Sequence, residues 1–234
     1  MSRLRFAIKL LEQHARPDQL AGMARFGINP ERRLGLSMPA IRALAKILGH
    51  DHELASALWS TGIPDAQIVA GMVAEPAKLT AQKMDEWVAC FQSWDVCDQV
   101  CGSAFKASPL AWSKVAEWAP RDEEFVRRAA FALLATLAVH DKKADDEHFL
   151  AALALVEHAS GDERNFVKKA VNWALRNIGK RNPALNAAAV DAAHRIQHQE
   201  TRPARWIAAD ALRELTSEAV QTRVQHRSIS SPKV

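Results

Sequence analysis

Apolar residues recur at three- and four-residue intervals along most of the chain, and the polar positions between them carry charge. That is the signature of amphipathic helices buried on one side. Start and stop signals divide the pattern. Ser2 precedes the first periodic run, Ser37 with Pro39 precedes Ile41 to Leu48, and Gly49 stops it; Pro64, Pro109, Pro183 and Pro203 stand where first helical turns are expected. The punctuation predicts about twelve helices.

Between Asp122 and Leu215 the pattern repeats. Phe125-Val126-Arg127-Arg128-Ala129-Ala130 returns as Phe166-Val167-Lys168-Lys169-Ala170-Val171, and more faintly as Ala204-Arg205-Trp206-Ile207-Ala208. Each copy leads into a second helix, such as Glu147 to His158 or Pro183 to His198. A period near 40 residues is that of HEAT-like helix pairs, so the expected fold is an all-α helical-repeat solenoid. Residues 1–221 are expected to form one helical-repeat domain, with 222–234 a basic, frayed tail.

Composition agrees with a helical reading. Alanine, the best helix former, dominates, against nine glycines and ten prolines, and 48% of residues are hydrophobic. Three cysteines make no disulfide framework and fit a reducing compartment. No run approaches the roughly 20 apolar residues of a membrane span. Charges at Arg3, Arg5, Lys9 and Glu12 interrupt the first apolar stretch, unlike a signal peptide. A cytoplasmic protein is expected. A net charge of +4 permits a polyanionic partner without demanding one.

Two helices carry candidate chemistry. From Asn165 to Lys180, Val167, Val171, Ala174, Leu175 and Ile178 form the apolar stripe, while Lys169, Trp173 and Arg176 fall opposite. An indole between two cations could lie against a nucleic-acid backbone, or could cover the neighbouring repeat. Arg128 occupies in its helix the angle that Lys169 occupies in the next copy, so cations are expected in register. In the segment Ser93-Trp94-Asp95-Val96-Cys97-Asp98, Trp94 and Asp98 share a face if the helix includes both. Asp95 suits an N-cap, and Asp98 is either a solvated residue or a functional carboxylate.

These residues together resemble the AlkD family of alkylpurine DNA glycosylases, HEAT-like repeat proteins that release cationic N3- and N7-alkylated purines from duplex DNA. The matching pieces are Trp94 with Asp98, Arg128 before Ala129-Ala130, Lys169-Ala170 leading to Trp173-Ala174-Leu175-Arg176, and more loosely Gly22 to Phe26 followed by Pro30-Glu31-Arg32-Arg33. The resemblance implies a concave DNA-binding face, Asp98 as catalytic carboxylate, Trp94 and Trp173 packing on the deoxyribose, and Arg128, Lys169 and Arg176 toward the backbone. It further implies a monofunctional base-excision enzyme without cofactor or metal, acting as a monomer on double-stranded DNA that contains alkylated purines. The chain has no tyrosine, so a family contact through a phenol near the N-terminus could survive only as apolar packing by Phe26.

Two other classes fit the residues less fully. A non-catalytic solenoid binding bent, branched or damaged DNA needs only the basic surface, and a protein-binding solenoid needs neither carboxylate nor cations. His194 and His198 have the spacing of paired metal ligands but lack the glutamate of a zinc-protease motif. Cys90, Cys97 and Cys101 lack a CxxC spacing and are expected at the core edge.

Overall fold

The structure, a computed structural model, describes residues 2–229. Among them there is no strand, and no helix is long and apolar enough to cross a membrane. The chain divides into two compact units, Met1–Ala111 and Trp112–Val234.

The first unit contains α1 (Arg3–Gln13), α2 (Leu20–Arg25), α3 (Met38–Leu48), α4 (His52–Trp59), α5 (Pro64–Val73), α6 (Ala81–Ala89) and α7 (Trp94–Ser103). The caps are those the sequence offers. Ser2, Ser37, Asp51 and Thr80 each accept a backbone N–H of the first turn, and Pro39 and Pro64 sit where a missing N–H costs nothing. The centre of the unit is α5, which packs against α1, α3, α4 and α7. At Gly71 it meets α7 so closely that a β-carbon would lie 3.1 Å from a Val100 methyl and 3.3 Å from its Cα. An aromatic cluster fills the other side of the core. Trp59 and Trp87 stack in parallel at 4.2 Å, with Phe91 and Phe105 against them.

The second unit contains α8 (Ala111–Trp118, its first residue still in the first unit), α9 (Glu124–His140), α10 (Asp146–Ala159), α11 (Asn165–Gly179), α12 (Pro183–Gln197), α13 (Arg202–Leu215) and α14 (Glu218–Ile229). Here the repeat is plain. In one layer α11 packs on α9 and α13, and in the other α12 packs on α10 and α14. Gly179 marks a close approach: a β-carbon there would come within 2.7 Å of Leu215. Buried asparagines stitch copies together, Asn177 donating to the Ala135 carbonyl at 3.1 Å and Asn186 to the Leu215 carbonyl at 3.3 Å.

Two expectations are corrected. Pro109 lies in the turn before α8 and not in its first turn. The segment expected to fray from Thr222 is helical to Ile229, because Val220 and Val224, four apart, give α14 an apolar edge that is buried. Residues 230–234 of that expected tail lie outside the described residues.

Candidate nucleic-acid interface

In the first unit, α7 opens at Trp94 with Ser93 as its N-cap residue. Val96, Cys97, Val100 and Cys101 are its buried side, so Trp94 and Asp98, one turn apart, fall together on the other side, both half-buried. Cys97 and Cys101 are core residues, and Cys90 is exposed.

The indole is held by the segment that joins α2 to α3. Trp94 Nε1 donates to the Phe26 carbonyl at 3.0 Å. Phe26 is 75% exposed, and it is its backbone carbonyl that holds the indole. Asp95 is not a cap. Arg33, whose side chain is 2% exposed, pairs with it through both terminal nitrogens at 2.8 and 2.9 Å, and Ser93 Oγ donates to it as well. Such a two-pronged guanidinium–carboxylate pair fixes orientation as well as distance. Arg33 Nε also donates to the Asn29 carbonyl.

The same segment is anchored from beneath. Asp65, fully buried near the start of α5, accepts the backbone N–H groups of Leu34 and Leu36 at 2.9 Å each. Gly35 has a φ of +79°, and a β-carbon there would overlap the Arg16 carbonyl, so only glycine lets the chain pass. Beside the strap lies a cavity of about 730 Å³, reached by Arg32, Glu31, Lys83, Glu86 and Cys90.

In the second unit the expected cations separate. Lys169 is exposed on α11 and Trp173 is half-buried one turn on. Arg128 is not at the surface. It is 5% exposed and donates to the Phe166 carbonyl at 2.6 Å, because α9 is buried on nearly every side and the polar angle of its wheel faces other chain. The expected register of Arg128 with Lys169 toward phosphates therefore fails. Arg176 is also corrected. It meets Glu214 of α13 at 2.5 Å and Asp210 at 3.6 Å, and Lys180 shares Glu214 at 2.7 Å. Burial would raise the Glu214 carboxyl, but the hydrogen bond from Lys180 and the nearby guanidinium of Arg176 outweigh it and hold it below its usual range.

Sequence reasoning missed the Arg127–Asp162–Arg164 cluster between the N-terminal ends of α9 and α11. Asp162 pairs with Arg127 at 2.9 Å and with Arg164 at 2.5 Å. Burial opposes its charge, yet the two guanidinium groups hold its carboxyl at about 2. His194 and His198 lie exposed on the surface of α12 and at its end.

The profile of the family described as DNA alkylation repair enzyme matches residues 7–215. The chain belongs to that family. Among solved structures, one from a family related to the HEAT-like repeat DNA glycosylases, with affinity for branched DNA structures, is similar to it at a TM-score of 0.74 and 19% identity, over 91% of this chain and 95% of that one. That likeness fixes the fold as HEAT-like. A designed armadillo repeat protein (19% identity, 76% and 92% of the two chains, TM-score 0.35) and an engineered protein (15%, 92% and 99%, 0.43) overlap more loosely, and neither bears on function. No curated protein matches the sequence. Of the residues that the sequence singled out, Trp94 and Asp98 lie on α7 of the first unit and Lys169 and Trp173 on α11 of the second.

Proposed function

We propose that the protein hydrolyses the N-glycosidic bond of cationic N3- and N7-alkylated purines in duplex DNA, as a monomer and without cofactor. The observation that carries this reading is the pair on α7. Asp98 and Trp94 share one half-buried face, and the indole is pinned by the Phe26 carbonyl while Arg33 fixes the start of the helix. A carboxylate set beside a fixed aromatic face suits a sugar that becomes cationic.

An alkylated purine already carries positive charge, so it leaves without being protonated. The electron pair of the C1′–N9 bond goes to the base and cancels that charge. Positive charge develops on the deoxyribose instead, as in glycoside cleavage. At ~4 Å and an effective dielectric of about 20, a carboxylate contributes roughly 4 kcal/mol toward it. Only the part realised as charge develops accelerates the reaction. Indole faces add about 0.5–2 kcal/mol each by cation–π attraction, the role given to Trp94 and, on α11, Trp173. Water adds to C1′ and passes its proton to Asp98 or to solvent. Lys169 is assigned to a backbone phosphate.

A second reading is favoured by the similar structure whose protein has affinity for branched DNA. On that reading the chain binds DNA without cutting a glycosidic bond. Incubating the protein with duplex DNA that holds one N7-methylguanine, then treating it with alkali, separates the two. A strand break at the lesion supports hydrolysis; an uncut strand on DNA that is nevertheless bound supports the silent solenoid.

A further inference from the structure

Phe125 on α9 and Phe166 on α11 are each the second residue of their helix, and Trp206 is the fifth residue of α13. The first two close on each other, their rings stacked at 5.6 Å. Trp206 is left open at 41% exposure, although Trp59, Trp87 and Trp118 of the same chain are buried. The Lys168 ammonium sits 4.9 Å from the centre of its ring. A cation on the ring steadies an indole that hydrophobic burial does not hold.

The surroundings are basic. The exposed side of α13 reads Arg202, Arg205, Trp206, Ala209 and Arg213, spaced by three and four residues, so arginines frame the indole along one face. Arg213 is paired with Asp210. Arg202 and Arg205, with Lys169 on the neighbouring α11, form no ion pair with any described residue. Asp162 is paired with Arg127 and Arg164, and Asp210 with Arg213 and Asn172. Glu163 and Glu200 are exposed in the turns before α11 and α13.

We propose that Trp206, braced by Lys168, is a stacking post for an unpaired base of DNA, with Arg202, Arg205 and Lys169 on the phosphates around it. A duplex hides both faces of its bases, whereas a single-stranded tail, gap or junction arm offers a face to an open indole. Aromatic platforms among cations are how unpaired strands are held without regard to sequence. The inference rests on the reading of the protein as one that binds DNA, and not on its cleaving a base.

The test compares a labelled blunt duplex with the same duplex bearing a single-stranded thymine tail, by fluorescence anisotropy. The wild type binds the tailed DNA more tightly. Trp206→Ala lowers affinity for the tailed DNA by about tenfold and leaves the blunt duplex within about twofold, while Trp206→Phe keeps most of the preference. A wild type without preference for the tail overturns the proposal, as does a Trp206→Ala loss that is equal on both DNAs or absent from both. Excision of N7-methylguanine from the blunt duplex by the wild type is scored separately, so that its failure tells against the glycosylase reading alone.

Discussion

Asp95 is consumed by Arg33 and Asp65 by two backbone N–H groups, so both are fixtures of the fold. Asp98 stands one turn from a pinned indole on a half-buried face. Asp98→Asn keeps its shape and removes its charge. Single-turnover excision of N7-methylguanine should fall by about two to three orders of magnitude, the share of a few kcal/mol that charge can supply, with duplex affinity unchanged or higher. Excision at the wild-type rate would make Asp98 an ordinary surface residue. Arg33→Ala acts differently, because it strands Asp95 without its partner in a largely buried place. Breaking such a pair costs about 3–5 kcal/mol, so urea unfolding of the variant should begin at distinctly lower concentration. Arg33→Lys keeps the charge but not the two-pronged geometry and should fall between.

At the level of helices, what was legible in the sequence is what each helix carries in itself. The stripe Val167, Val171, Ala174, Leu175 and Ile178 is fully buried as its spacing implies, and the caps at Ser2 and Ser37 stand where the residues announce them. What was not legible is what other elements lay over a polar face. A wheel puts Arg128 off the apolar stripe of α9, but α9 is covered on nearly all sides and its guanidinium turns to the Phe166 carbonyl. Arg176 finds Glu214 on α13, a partner 38 residues away for which no local spacing speaks. The two members of the expected cation pair should therefore behave unlike each other. Lys169→Ala should flatten the dependence of duplex affinity on salt by about one unit in log–log slope. Arg128→Ala should lower the unfolding free energy by about 2 kcal/mol, since it removes a buried side chain and the charged hydrogen bond that ties α9 to α11. Equal salt slopes for wild type and Lys169→Ala would remove Lys169 from the interface. Asp162 gives the second unit a pH signature. Its carboxyl is held at about 2, below its ordinary value, so its contribution is complete above about pH 4 and lost as pH falls toward about 2. Urea titrations across that window should show the wild type losing on the order of 2 kcal/mol that Asp162→Asn, already destabilised, does not lose.

For the molecule as a whole, the division of labour between helices bears on what kind of product it leaves. A glycosylase that also cuts the strand needs an amine to attack C1′ and hold the sugar as a Schiff base. Of the lysines on α11 and at its C-terminal end, Lys180 is tied to Glu214 and Lys168 lies on Trp206, which leaves Lys169 as the amine one turn from Trp173. Lys169 is exposed, not desolvated in an apolar pocket as an activated Schiff-base lysine is. On the proposed reading water oriented by Asp98 is the capturing agent, and the reaction should then end at an abasic site in an unbroken strand. Borohydride added during turnover should trap no covalent protein–DNA adduct, and the product should break only after alkali. The same chemistry restricts the substrate, because a carboxylate that stabilises the sugar does nothing to protonate a base. Neutral lesions such as hypoxanthine should be left in place under conditions in which N7-methylguanine is released. A borohydride-stable adduct that disappears in Lys169→Ala would instead make Lys169 the nucleophile and move the capturing step from α7 to α11.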